Sequence, residues 1–277
     1  MISLEPINVD NKKLTKIVFD GRKDPRKSTL NAKYIKITNA YRNYKSNKYE
    51  LEKLIPVVGI DENLKKDLEY CYFHAKELDD IKSQIYNNVP TKRDRCLYCS
   101  ILGAESLDHY VNKAEFPEFS IFTDNLIPCC SNCNSKKKRW KEDNKRLIIN
   151  NYFDNLIRDD YLFIDVGFNR KKIPFIKSIR LDFTNVVASD EQIELVKNHY
   201  KELDLLNRYL DPAISRLSGI VTTQRGVTIR NKDFCIALLE AEIVTLEGKY
   251  GFNNWEAAVN KGVLNNEELL DWLSEEI

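Results

Sequence analysis

Two Cys-x-x-Cys pairs, Cys96/Cys99 and Cys130/Cys133, stand thirty residues apart in a chain of 277. No other feature restricts the fold as much. Each pair can turn two thiolates toward one point, and four thiolates around one ion make the closed tetrahedral shell of structural zinc. Disulfides belong to oxidising compartments. The N-terminal stretch MISLEPINVDNKKL lacks the apolar core of a signal peptide, and no apolar run approaches the roughly 18 to 20 residues that cross a bilayer. A cytoplasmic protein with no membrane association is therefore expected, and an odd total of seven cysteines agrees with metal binding. In so short a module the metal would supply most of the folding free energy, about 10 kcal/mol or more for structural zinc. Cys129 adjoins the second pair out of register and reads as a buried neighbour or free thiol; Cys71 and Cys235 read as small core residues.

The flanks read as mostly helical. Residues 1–90 form an expected N-terminal helical, basic region, opening with a short strand and the turn-rich KDPRKS. Tyr34, Ile37, Tyr41, Tyr44, Leu51 and Ile55 then recur at helical spacing, and a second helix is expected from Glu62 to about Tyr86, with Leu64, Leu68, Cys71, Leu78 and Ile81 inward. After the cysteine module of residues 91–150, residues 151–277 open with YLFIDVGF and IKSIRLDF, two strands around the turn NRKKIP. Ser189 with Gln192 is a capping-box start, and further helices are expected from about Asn231 to Lys249 and from Trp255 onward. The fold class is thus α+β, a mostly helical protein with an inserted zinc module.

The net charge of +1 hides an asymmetry: residues 11–53 carry thirteen Lys/Arg against four Asp/Glu, whereas residues 232–277 carry three Lys against ten acidic residues. The first segment could face phosphates and the second would be repelled by them; solvated helix faces have the same composition.

Inside the module, Asp108-His109 sits in a strand-like setting, Asn125-Leu126-Ile127-Pro128 leads into the second knuckle, and Asn134 and Lys137 follow it. This pattern resembles the HNH nuclease motif, a ββα-metal finger of about 45 residues. The resemblance implies a metal-dependent endonuclease in which Asp108 and Asn134 hold Mg²⁺ or Mn²⁺, His109 is the general base, Asn125 orients His109 and braces the loop, and Cys96, Cys99, Cys130 and Cys133 hold structural zinc. Lys136, Lys137, Lys138 and Arg139 would meet the phosphates of the nucleic acid, expected to be DNA. Asn112 and Lys138 stand where many members carry proline and glycine. The chemistry of the residues agrees: a neutral imidazole suits general-base work near neutral pH, and oxygen donors suit hard divalent ions. A more extended similarity, through INNYFD and YGFNNWEAAV, is to the stand-alone HNH nuclease subunit of Septu-type antiphage systems, and implies an effector subunit that works with a partner ATPase. The competing reading is a non-catalytic, zinc-braced module that binds nucleic acid or protein, with His109 a structural histidine.

Overall fold

The computed structural model describes residues 2–90, 93–169, 171–226 and 231–275, over which the chain is α+β with small antiparallel sheets. The residues group into two compact units: Ser3–Tyr98 with Leu102–Asn155, and Leu156 onward with Cys99–Ile101. The N-terminal helices and most of the cysteine module therefore share one unit.

In that unit the described N-terminal residues form no strand; the first element is helix α1 (Asn11–Asp20). The Asp10 side chain accepts from the backbone N–H groups of Lys12 and Lys13, and Leu14, Val18 and Phe19 bury one face. Helix α2 (Arg26–Ser46) buries Ile37, Tyr41 and Tyr44, while Ile55, beyond the helix, is exposed. The single helix expected over 62–86 is two, α3 (Glu62–His74) and α4 (Asp79–Asn87), separated at Ala75, which is extended. Arg22 is held by both oxygens of Glu77, and Arg26 pairs with Asp67 at 2.6 Å and lies over the Tyr70 ring. These two cations of the basic segment are engaged in packing α1 and α2 onto the next helices.

Strands β1 (Ser106–His109) and β2 (Leu126–Cys129) pair antiparallel, with Asp108 opposite Ile127 and His109 opposite Leu126. Helix α5 (Ser131–Lys136) follows at once, then the short pair β3 (Lys141–Glu142) and β4 (Lys145–Arg146). Ile85 and Tyr86 of α4 pack in one core with Ala104, Leu107 and Leu126, which fixes the back of the hairpin.

The second unit contains the expected hairpin, β5 (Leu162–Phe168) paired with β6 (Pro174–Leu181) with a register shift at Asp165/Val166. Its helices are α6 (Asp190–Glu202), α7 (Leu205–Arg208), α8 (Leu210–Gly226), α9 (Lys232–Tyr250), α10 (Trp255–Leu264) and α11 (Glu267–Ser274). The capping box at Ser189 forms, with Gln192 returning the bond. Helix α10 runs close against β5 at Gly262, where any side chain would overlap the Ile164 carbonyl. Trp255 is buried and stacks on Tyr209, a packing role. No helix among the described residues is long and apolar enough to cross a membrane.

Candidate active site and metal centre

The Sγ atoms of Cys96, Cys99, Cys130 and Cys133 all lie within 4.8 Å of one another, and all four residues are buried. Tetrahedral zinc with bonds of about 2.3 Å places its sulfurs ~3.8 Å apart, so the cluster has the dimensions of the ion's shell. Backbone N–H groups also turn toward the thiols: Cys133 N–H donates to Cys130 Sγ at 3.4 Å and Ile101 N–H to Cys99 Sγ at 3.5 Å. Such donors stabilise thiolate, and the four residues can hold structural zinc. Cys129 stays outside the cluster; burial pushes its thiol up to about 12, leaving it protonated beside Ser106.

The hairpin and α5 carry the other candidate residues to one cleft of about 490 Å³, lined by Asp108, His109, Asn134 and Lys137 together with Tyr72, Phe73 and Lys113. Asp108 is buried, and its Oδ2 accepts from Tyr98 Oη at 2.7 Å and from Lys137 Nζ. His109 closes β1. Its Nε2 lies 2.8 Å from the Ser120 carbonyl oxygen, which can only accept, so the proton sits on Nε2 and Nδ1 keeps its lone pair. The Tyr72 ring meets the imidazole edge to face at 4.5 Å. Burial lowers the imidazole to about 4, against the upward pull of the Ser120 bond and of Asp108, so the ring is neutral at pH 7.

Asn125 is fully buried and does not touch His109 through any hydrogen bond described. Its Oδ1 accepts from Val111 N–H at 2.8 Å and its Nδ2 donates to Val111 O at 3.1 Å, clasping the two ends of loop 110–125 beyond the last pair of the hairpin. Tyr44 of α2 donates to the same Oδ1 at 3.3 Å. The bracing role implied for Asn125 thus has a geometry; the direct hold on His109 comes from Ser120. Asn134 is exposed, one turn into α5, with Nδ2 3.5 Å from Ser106 Oγ.

The run Lys136 to Arg139 does not form one basic face. Lys137 is buried and its ammonium donates to Asp108, to His109 O at 2.7 Å and to Tyr110 O at 2.9 Å. This corrects the expectation that it reaches a phosphate from the helix surface: the end of α5 turns it inward onto β1. Lys138 and Arg139 are exposed, with Arg139 paired to Glu142, and Lys136 is half-buried. The two departures from the motif meet: Asn112 Nδ2 donates to Lys138 O at 3.0 Å, tying the loop to the end of α5. Loop 110–125 is filled from α2, where Tyr41 stacks on Phe122 at 4.4 Å and Tyr44 meets Phe119 and Phe122 edge-on. Helix α2 is thus the packing partner of these two phenylalanines.

Three contributors carried no signal in the sequence: Tyr98, Ser120 and Tyr72. Tyr98 lies between Cys96 and Cys99 of the cluster, and burial followed by the Asp108 charge holds its phenol well above the usual range, so it remains a donor. Ser120 acts through a backbone carbonyl, which any residue supplies.

No family model and no solved structure matches the chain. Among curated proteins it is similar to Protein ea31 of Escherichia phage lambda, 27% identical over 139 residues. That match covers 48% of this chain and 45% of the phage protein, so the chain aligns with under half the length of that relative.

Proposed function

We propose that the chain is a metal-dependent endonuclease of the HNH type, hydrolysing phosphodiester bonds of nucleic acid, with DNA as the expected substrate. The observation that carries the reading is a juxtaposition. A carboxylate and a neutral imidazole from the end of β1, and an amide from the first turn after β2, line one cleft, and Cys130 and Cys133 of the four-cysteine cluster stand at the N-cap and in the first turn of the helix that carries the amide. A zinc scaffold alone does not require Asp108 or a histidine with one ring nitrogen fixed.

His109 is the general base. With the proton held on Nε2 by Ser120, Nδ1 is the nitrogen that takes a proton from water, and the resulting imidazolium is stabilised by the same carbonyl. A pKa near 4 makes a weak base, and an anionic phosphodiester beside the ring raises it toward the useful range. Asp108 and Asn134 are the donors for Mg²⁺ or Mn²⁺: Asp108 has Oδ2 tied by two donors, which leaves Oδ1 for an ion, and Asn134 is exposed on the same wall. When bound, such an ion neutralises charge developing on the phosphate oxygens. Tyr98 fixes the carboxylate, and Asn125 fixes the loop that carries the Ser120 carbonyl.

The wider assignment, an effector subunit of a prokaryotic antiphage complex with a partner ATPase, rests on the similarity of INNYFD and YGFNNWEAAV to Septu-type nuclease subunits and on the acidic C-terminal helices. The test is nicking of supercoiled plasmid with Mg²⁺ or Mn²⁺, with and without any ATPase encoded beside it. His109→Ala should abolish cutting while leaving zinc content unchanged. Equal cutting by wild type and mutant, or none by zinc-loaded wild type with its partner present, favours the non-catalytic binding module.

A further inference from the structure

The cleft holds a charge arrangement that a preformed cation site would not have. A divalent ion needs uncompensated negative charge, and Asp108 is the carboxylate on the strand wall that could supply it. Yet Lys137 already neutralises Asp108, with its side chain 1% exposed and all three ammonium protons on oxygen: Asp108 Oδ2, His109 O and Tyr110 O. This lysine is neither a solvated surface charge nor free to swing out without leaving two carbonyls and a carboxylate unpaired. The other charged groups of the lining are engaged as well. Lys113 pairs with Glu69 at 2.7 Å, Lys82 donates to the Tyr72 carbonyl oxygen at 2.7 Å, and the other lining carboxylate, Glu105, is bound by the backbone N–H and hydroxyl of Ser131. Neither lining carboxylate is left without donors before a phosphate enters.

We propose that Lys137 is a positioning residue that holds Asp108 neutralised in the free protein, so that the cleft takes up its divalent cation together with a nucleic-acid phosphate and not before it. The proposal rests on the nuclease reading. The phosphate supplies the negative charge that Lys137 cancels, and Asp108 Oδ1, left without a donor by the fixing of Oδ2, completes the donor set. The free protein then carries no loaded centre, and metal dependence and nucleic-acid binding are linked in one step.

Mn²⁺ binding to the zinc-loaded, full-length protein, read by electron paramagnetic resonance without nucleic acid, tests this. Wild type and the charge-neutral double substitution Asp108→Asn with Lys137→Met should bind about equally weakly, because the paired Asp108 contributes no usable charge. Lys137→Met should bind Mn²⁺ at least about tenfold more tightly than wild type, by exposing an uncompensated carboxylate. Lys137→Arg should restore the wild-type behaviour, and Tyr98→Phe, which removes a donor but no charge, should leave it in place. Wild-type binding that this neutral double substitution weakens by about tenfold would overturn the proposal even if Lys137→Met alone fails to fold, since it would mean a preformed site. So would a folded Lys137→Met that gains no affinity. Loss of nicking in His109→Ala reports separately on the nuclease reading, so the two can fail independently.

Discussion

Replacing Asn125 by alanine removes the clasp of loop 110–125 and nothing else within hydrogen-bond reach of the cleft. Val111 N–H and Val111 O both lose their partner, at 2.8 and 3.1 Å, in a place that water does not reach. Tyr44 loses one acceptor but keeps Asp124 O at 3.4 Å. Each buried polar group left unpaired costs about 1 to 3 kcal/mol, and the small cavity adds to that, so about 3 kcal/mol is a fair expectation for the local structure. Amide hydrogen exchange measures it directly: at about 1.4 kcal/mol per tenfold, the Val111 and Tyr110 amides should exchange roughly a hundredfold faster in the mutant. Asn134→Ala is the control, because Asn134 is exposed and has a single long contact; its stability change should stay within about 0.5 kcal/mol. On the proposed nuclease reading both mutants should lose nicking, Asn125→Ala by misplacing the Ser120 carbonyl and Asn134→Ala by losing the proposed ion donor. Less than a tenfold change at Val111, or equal destabilisation by the two mutants, would show that the clasp is not what holds the loop.

Burial of His109 makes acid stability a second readout. Its folded pKa of about 4 lies below the ordinary 6.5, so the unfolded chain binds the extra proton between those values. The contribution is fully present above pH 6.5 and lost as pH falls toward 4, about 3 kcal/mol in total. Nitrogen-detected NMR should find the ring neutral and protonated at Nε2 down to about pH 5, and denaturation midpoints should fall more steeply with acid in wild type than in His109→Gln. Chelation or Cys130→Ser should unfold the hairpin and α5, seen as lost amide dispersion for residues 106–136, while Cys129→Ser keeps one zinc per chain by elemental analysis. Gly262→Ala should destabilise the second unit by several kcal/mol, about the upper range of single substitutions, because α10 must retreat from β5, and should leave zinc content intact.

The sequence was most legible where spacing alone encodes geometry. Cys-x-x-Cys, twice, forces two thiols to one side of a tight turn, and alternation across YLFIDVGF and IKSIRLDF around a polar turn yields a hairpin. Ser189 with Gln192 is equally local. What escaped depends on phase or on distant packing. The lysine run is uniform as text, but the chain turns Lys137 inward and Lys138 outward on leaving α5. Helix α1 is diluted by lysines and announced chiefly by the Asp10 cap, while the break between α3 and α4 occurs without Gly or Pro, where the chain turns to bring Ile85 and Tyr86 onto the hairpin. Ser120 contributes a carbonyl, for which no side-chain pattern exists.

Tyr41 and Tyr44 make α2 the floor on which loop 110–125 rests, and Asn11 reaches the same loop through Thr123 at 2.9 Å. A fragment cut out at the motif's own borders would therefore keep its zinc cysteines but expose Phe119 and Phe122 to water and leave Asn125 with one partner fewer. The smallest transplantable piece of this protein is the helical cradle with its finger, and grafting the finger alone onto another scaffold should yield a metal-binding knot with a slack loop.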